Sequence, residues 1–588
     1  MPLLLFRVLG LREKVATHPA QGVLVLELRC AYWEIPRSMA AVDQTETFDA
    51  ASSVAGREAG RWSGFAASKN DVLQVVRRHL LRVFPFQVVL ALILIVVVFA
   101  LTRRGMNDPD IWWHLRNAEY LLNHFQLPRF DMYSYTVGGH PWINHEWMSE
   151  VPFLLAWRLG GLVGVKSLSI AVIVATFLAL LYLCYKISGN FKASIAACAV
   201  CTFFATVNFG PRTILFGYLY LVVLLIILER FRRLGRAPLW LIPVLFAVWV
   251  NTHGSWLLGL IVFSVTIAAG LLQGSWGCIS SERWAPRQFG KLALTWVASI
   301  AALFVNPIGP RLVFYPFDLA FRQKLNIAHV AEWVSVDFHN LRGRIVLGLI
   351  VFLLVGLLLR RRQWTLTEWL LLLFGLYSGL TYIRFLFLLG ILAAPVIAQM
   401  LDFFPPYRRE LETSITNAMV VCVLIVAMVH YWPTARELQQ SVDADYPAGV
   451  LPYLKAHPPT GPMLNFYLWG GYLGWNNNDL KVFVDSRVDI FEYEGVLKDY
   501  LDLLEVHQAN TILDKYKIRY VLFPKTEVLT YVLQHDPNWT VRYSDQLCVL
   551  LEKNGEHNAV NGVVEAASLV PASKALPKWL LIENPTAW

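Results

Sequence analysis

The sequence predicts an all-α membrane protein: a polytopic bundle of about eleven transmembrane helices followed by an extracytoplasmic α/β domain. Three observations carry that expectation. The 588 residues are 56% hydrophobic and 16% charged, where soluble domains average about 25% charged residues. The apolar residues gather in runs near the ~20 residues that cross a bilayer, and a helix is how one such segment satisfies its own backbone polar groups in lipid. Arg and Lys, finally, cluster in short loops on alternate sides of these runs, as the positive-inside rule requires. The 22 tryptophans suit a chain with many membrane–water boundaries.

In chain order, residues 1–83 read as a cytoplasmic tail. LLLF and VLVLEL are too short to span and lack signal-peptide flanks, so this stretch is expected to be mostly disordered, or to precede a true start such as Met39. The transmembrane module covers 84–432, with spans at 86–102, 162–186, 193–209, 214–228, 238–250, 255–273, 291–305, 344–360, 365–381, 385–401 and 414–432. With the N-terminus inside, beside Arg77, Arg78 and Arg82, five basic loops also fall inside. They hold Lys186 and Lys192; Arg230, Arg232, Arg233 and Arg236; Arg283, Arg287 and Lys291; Arg360, Arg361 and Arg362; Arg408 and Arg409. The same orientation puts a long first external loop, 103–161, and everything after Trp432 outside.

Residues 433–555 read as a separate α/β domain. MLNFY, KVFVDSR and RYVLFP predict strands, GVLKDYLDLL and TILDKYKI helices, and WTVRYSD with LCVLLEK a closing hairpin. Residues 556–588 are a weakly structured tail. The seven cysteines are scattered and several lie in apolar runs, so no disulfide framework is indicated. The net charge of +9 belongs to topology-setting loops and not to nucleic-acid binding.

The first external loop concentrates the chemistry. In DPDIWWHLR, Ile111, Leu115, Ala118 and Leu122 recur at helical spacing, and Asp110, His114 and Asn117 fall on another face. This predicts an amphipathic helix lying on the membrane with its polar face turned to a cleft. A purely structural account is specific: Asp108 caps the helix, Pro109 takes its first position, and Asp110 favours its dipole. Trp112, Trp113, Trp142 and Trp147 would then be interface anchors. Against it, the loop also holds His140, His145 and Glu146. The other outside loops add Asn208, Arg212 and Thr213; Asn251, Thr252 and His253; Asn306, Glu332, Asp337 and His339; and Arg384. Ionisable residues at one end of many spans suggest a shared pocket.

The stretches DPDIWWHLR, PRFDMYSYT, PWINHEW, WVNTHGSWLLG and VNPIGP together resemble an uncharacterised bacterial branch of the GT-C superfamily of polyprenyl-phosphate-dependent membrane glycosyltransferases. The resemblance covers about residues 86–400, and YLWGGYLGW with KVFVDSRVD looks like that branch's extracytoplasmic domain. It implies transfer of a sugar from a polyprenyl-phosphate donor to a glycan, lipid or protein acceptor on the outer face of an inner membrane. The family's base lies in the Asp-x-Asp element, hence Asp110 or Asp108, with Asp110 preferred for sharing a face with His114. Arg384 is the first candidate for the donor phosphate, Arg212 and Arg116 the second, because a guanidinium matches phosphate oxygens. Structural pairing of these arginines with Glu332 or Glu146 is the plainer alternative. His114, His145, Glu146, His253 and Glu332 complete the expected substrate site. A divalent metal ion is left open, since some relatives need one and the spacing here is not a recognised metal signature. No WWD motif of the oligosaccharyltransferase type is present. Gly470 and Gly471 read as a turn more readily than as a sugar-stacking feature. The rival readings are a surface-glycan polymerase or ligase, a secondary transporter and a non-enzymatic scaffold.

Overall fold

Each of the eleven apolar runs falls on a helix in the computed structural model, which describes residues 84–106, 108–359, 363–408 and 412–554. The expectations for the N-terminal tail, for 556–588, and for Arg77, Arg78, Arg82, Arg360–Arg362 and Arg409 lie outside the described residues. The helices are α1 Phe86–Thr102, α2 Asp110–His124, α3 Trp147–Ser188, α4 Phe191–Ala205, α5 Ile214–Leu234, α6 Leu241–Thr252, α7 Trp256–Ala269 and α8 Pro286–Ala302. There follow α9 Pro310–Arg322, α10 Lys324–His329, α11 Leu341–Leu359, α12 Leu366–Thr381, α13 Leu386–Met400 and α14 Ser414–His430.

Among the described residues, four helical segments are long and apolar enough to cross a membrane, or five if α14 is joined to the helix after it across a 52° bend. This makes the chain a membrane protein. Helix α6, with 12 residues, covers only about 18 Å at 1.5 Å per residue, short of a ~30 Å hydrocarbon core. The 42-residue α3 is really two helices, broken at Gly160 and Gly161. Gly161 has φ 56°, a left-handed conformation that glycine tolerates. The break falls where the sequence places the boundary between external loop and second span.

Two hydrophobic cores result. One fills the bundle around α13, every residue of which is buried. The other runs without interruption from α2 and the first half of α3 into the C-terminal region. That region carries helices α15 Ala435–Asp445, α16 Val450–Ala456, α17 Gly470–Asn476, α18 Val488–Tyr493, α19 Val496–Leu504, α20 Ala509–Lys515 and α21 Val528–Gln534. A three-stranded sheet joins β1 Gly274–Trp276, β2 Ile279–Ser281 and β3 Trp364–Thr365 in the bundle. In the C-terminal region β4 Met463–Asn465, β5 Tyr520–Pro524, β6 Trp539–Ser544 and β7 Cys548–Lys553 form a sheet in the order β4-β5-β7-β6. Strand β4 runs parallel to β5, and β6–β7 is the expected hairpin.

Two expectations are corrected here. KVFVDSR is not a strand. The side chain of Asn465 takes the bonds a ladder would need, accepting from Phe483 N–H and donating to the Val484 carbonyl. What remains is a single bridge between Ser134 and Val482 that stitches the loop between α2 and α3 to this segment. Nor are Gly470 and Gly471 a turn: they open α17 in right-handed helical geometry. A Cβ on Gly470 would lie 2.2 Å from the Val484 carbonyl oxygen, and one on Gly471 3.1 Å from that of Pro109. Gly471 lets α17 press against the start of α2, and Gly470 lets it press against the backbone at Val484 and Asp485.

Candidate functional site

The segment Asp108-Pro109-Asp110 starts α2 much as its residues dictate. Asp108 Oδ1 accepts the Asp110 backbone N–H at 2.9 Å, the capping bond of a helix N-terminus, although the helix is entered at Asp110, one residue later than Pro109. Ile111, Leu115 and Ala118 are fully buried. Trp112, Trp113 and Trp142 are buried too, so they are core residues and not interface anchors. Trp112 packs edge-on against Tyr446 and Tyr472, and Trp147 donates its indole N–H to Asn251 at 3.0 Å.

The polar face of α2 meets α3. His114, 2% exposed, has Glu150 Oε1 3.0 Å from Nδ1 and Glu146 Oε2 3.3 Å from Nε2. Burial alone would lower its pKa; the Glu150 hydrogen bond and the Glu146 charge overcome this and raise it to about 9. A carboxylate at each ring nitrogen makes both of them donors, which is the imidazolium. Asn117 and Asn144 fill the rest of Glu150 at 3.2 and 2.8 Å.

Glu146 gathers two more rings, His253 at 3.2 Å and His145 at 3.5 Å. Burial opposes its ionisation, but the charge and hydrogen bond of His145 and the charge of His114 hold it well below the usual carboxylate range. His253 Nδ1 accepts the Ser255 N–H at 2.9 Å, so its one N–H is the Nε2 facing Glu146. Burial keeps this ring neutral, with a pKa lowered to about 3.

These groups border a cavity of about 510 Å³. Asp108, Asp110, His114, His145, Glu146, Arg212, His253, Glu332 and Arg384 all line it. Arg116 does not: six residues beyond Asp110, it points about 120° away on a helix of 100° per residue. It donates to the Asn478 carbonyl at 2.8 Å and covers the Tyr133 ring. Arg212 bonds both Asp108 and Glu332, so the plainer alternative of structural pairing applies to this arginine. Arg384 differs. It stacks over Trp333 at 4.2 Å, and its Nε is buried with no hydrogen-bond partner.

Asp110 accepts from the Trp113 indole at 3.1 Å. Burial, reinforced by the charge of Asp108, raises its pKa to about 7. The cavity also contains residues that sequence reasoning missed: Tyr315, Trp333, Ser486 and Asp489. Tyr315 stacks on His145 at 4.3 Å and donates to Asp489 at 3.2 Å. Burial raises the Asp489 pKa to about 6. Ser486 and Asp489 sit inside the quoted KVFVDSRVD stretch, and that was the one available signal. For a metal ion, the natural ligands are Asp108, Glu332 and Glu146. Each already faces a side chain of the protein: Arg212 for the first two, three imidazoles for the third. Among the described residues no group of three or more His, Cys, Asp or Glu is arranged to hold a metal ion.

No protein-family profile matches the chain, and no curated protein is significantly similar to it. Two solved structures of the Archaeoglobus fulgidus oligosaccharyltransferase are similar to it in shape. One is tethered by a disulfide bond to an acceptor peptide containing the NVT sequon; it has a TM-score of 0.46 and 12% identity, covering 75% of this chain and 69% of that one. The other is the apo form, with a TM-score of 0.46, 12% identity and coverage of 74% and 69%.

Proposed function

We propose that this chain is a membrane glycosyltransferase of the GT-C type, which moves a sugar from a polyprenyl-phosphate donor to an acceptor on the extracytoplasmic face of an inner membrane. In this reading residues 84–432 form the membrane module with eleven spans, the N-terminus is cytoplasmic, and 433–555 lie outside with the loop 103–161. The observation that carries it is one cavity holding both a carboxyl group poised near neutrality, Asp110, and a guanidinium with a spare buried donor, Arg384.

The chemistry follows from those two groups. Asp110 takes the proton of an acceptor hydroxyl, whose oxygen then bonds to the anomeric carbon. The bond from that carbon to the phosphate oxygen breaks, and the leaving lipid phosphate keeps the electron pair. A base is most effective when its pKa lies near the working pH, which burial of Asp110 supplies. Arg384 offers N–H donors where the phosphate charge develops. Asp108 is held by Arg212 and by the helix start, which suits a positioning role better than proton transfer. Helix α9 supports access from lipid: Tyr315 and Pro316 face the cavity, while Phe314, Phe317 and Phe321 on the same helix are exposed.

The test supplies membranes with labelled polyprenyl-phospho-sugars. Asp110→Asn should lower transfer by about 10²–10⁴-fold, the usual contribution of a general base, and Asp108→Asn by less. Unchanged transfer in both variants at normal expression would refute the base assignment. Turnover by polymerisation of the transferred sugar would favour the polymerase reading, and no turnover with any sugar lipid the scaffold or transporter.

A further inference from the structure

We propose that Arg212 is the resident cation of this site: its guanidinium holds the position between Asp108 and Glu332 that a divalent metal ion would otherwise take, and transfer proceeds without such an ion. This inference rests on the function proposed above only for its activity arm.

Asp108 belongs to the start of α2, Glu332 to the segment after α10, and Arg212 to the connection before α5. Three stretches far apart in sequence thus place two carboxylates on one cation. Carboxylates converging from separate segments repel one another unless a positive charge lies between them. The available candidates are a divalent ion, which needs bare oxygens at about 2.0–2.6 Å, or a guanidinium, which uses those same oxygens as hydrogen-bond acceptors. Here both oxygens of Asp108 are already engaged by protein donors. Its Oδ1 accepts the Asp110 N–H and its Oδ2 the Arg212 Nε–H, while Arg212 Nη2 donates to Glu332 Oε1.

Arg212 is built into this place and not merely near it. Its backbone N–H donates to the Gly210 carbonyl at 2.9 Å, and Gly210 packs on both its own chain and Asp108: a Cβ there would sit 3.4 Å from Arg212 Cγ and 3.7 Å from Asp108 Cβ. Both carboxylates raise its affinity for its proton, so the charge is permanent. A fixed cation here is paired with Asp108 and Glu332, while Asp110 makes no ion pair with it.

The experiment uses the full chain in lipid nanodiscs and Mn²⁺ as the probe, with bound ion read by electron paramagnetic resonance. Wild type should show no site that Asp108→Asn removes. Arg212→Ala should gain one, lost again when Asp108→Asn and Glu332→Gln are added; Arg212→Lys, which keeps a cation, should gain none. Wild-type transfer should stay within about twofold in EDTA, below the 1.4 kcal/mol that a tenfold change represents. A wild-type Mn²⁺ site that depends on Asp108 or Glu332 overturns the proposal. So does a folded Arg212→Ala protein that binds no ion, and the wild-type arms decide the matter if that variant does not fold. The two readings fail separately: EDTA-sensitive transfer restored by Mn²⁺ removes this inference and keeps the glycosyltransferase. The predicted Mn²⁺ pattern with no transfer from any sugar lipid does the reverse.

Discussion

The protein contains two triads of the same composition, an arginine between two acids, and they differ in what surrounds them. In Asp131–Arg487–Asp485 the side chains are 0%, 1% and 2% exposed, and the guanidinium lies beside the rings of Tyr133 and Trp142. It fastens the segment before α3 to the C-terminal region, with contacts of 2.7 and 2.6 Å from Arg487 Nη2. In Asp108–Arg212–Glu332 the side chains are 4%, 18% and 18% exposed, and the triad borders the cavity. Charge and pairing are alike in both. The difference is one of access: the side chains of the first triad are almost closed to solvent, although Arg487 reaches the cavity wall with a buried Nη1 that has no hydrogen-bond partner, while those of the second are partly open.

Variants should break the molecule in different ways at the two triads. The largest effect is expected at the sealed one. Arg487→Ala leaves two buried carboxylates without their cation, which costs about 3–5 kcal/mol, so a marked fall in melting temperature and poor recovery of folded protein should follow. Arg212→Lys keeps a charge in the open triad but loses the planar fork. Its melting temperature should change little and its transfer should fall about 10–100-fold, as expected for misplacement of a catalytic element.

The pH profile sharpens the contrast between the α2 groups. Asp110 must be ionised to act, so kcat/KM should rise through about 7, and the limb should vanish in Asp110→Asn. His114 must stay protonated to hold Glu146 and Glu150, so activity should fall through about 9. Stability follows the signs of the same shifts. The raised Asp110 pKa lets the folded state keep a proton that the unfolded chain sheds, so its contribution declines from about pH 4 to 7. The raised His114 pKa stabilises fully below about 6.5 and is lost as pH climbs through 9. The smallest effect is expected at Arg116, which lies off the cavity. Arg116→Gln should cost about 1 kcal/mol, the worth of a hydrogen bond, with no change in kcat.

Much of this was legible in the sequence because it is local. Apolar runs gave the eleven helices, and DPD gave the start of α2 with its polar face. Nine of the ten expected site residues line one cavity, and most of them sit in or beside the loops that join the helices, which loop position alone reveals. Arg116 was misplaced by proximity in sequence, where helical rotation decides. The other losses are non-local. Asp489 and Tyr315 reach the cavity only because α18 packs against the segment around α10, where Glu492 accepts the backbone N–H groups of Leu325 and Asn326 at 2.8 Å each. KVFVDSR has the composition of a strand, and only the side chain of Asn465, from another segment, prevents a ladder. The glycine pair was ambiguous for the same reason: close approach is a property of the neighbour, here the Pro109 carbonyl.

In the function proposed above, the cavity receives a lipid phosphate at Arg384 beside Asp110. Binding of undecaprenyl phosphate, which carries no sugar, to the purified protein in nanodiscs tests it without turnover. The account predicts saturable binding that weakens at least about tenfold, or 1.4 kcal/mol, in Arg384→Gln and is retained in Asp110→Asn. Binding that is absent, or that Arg384→Gln leaves unchanged, would contradict it.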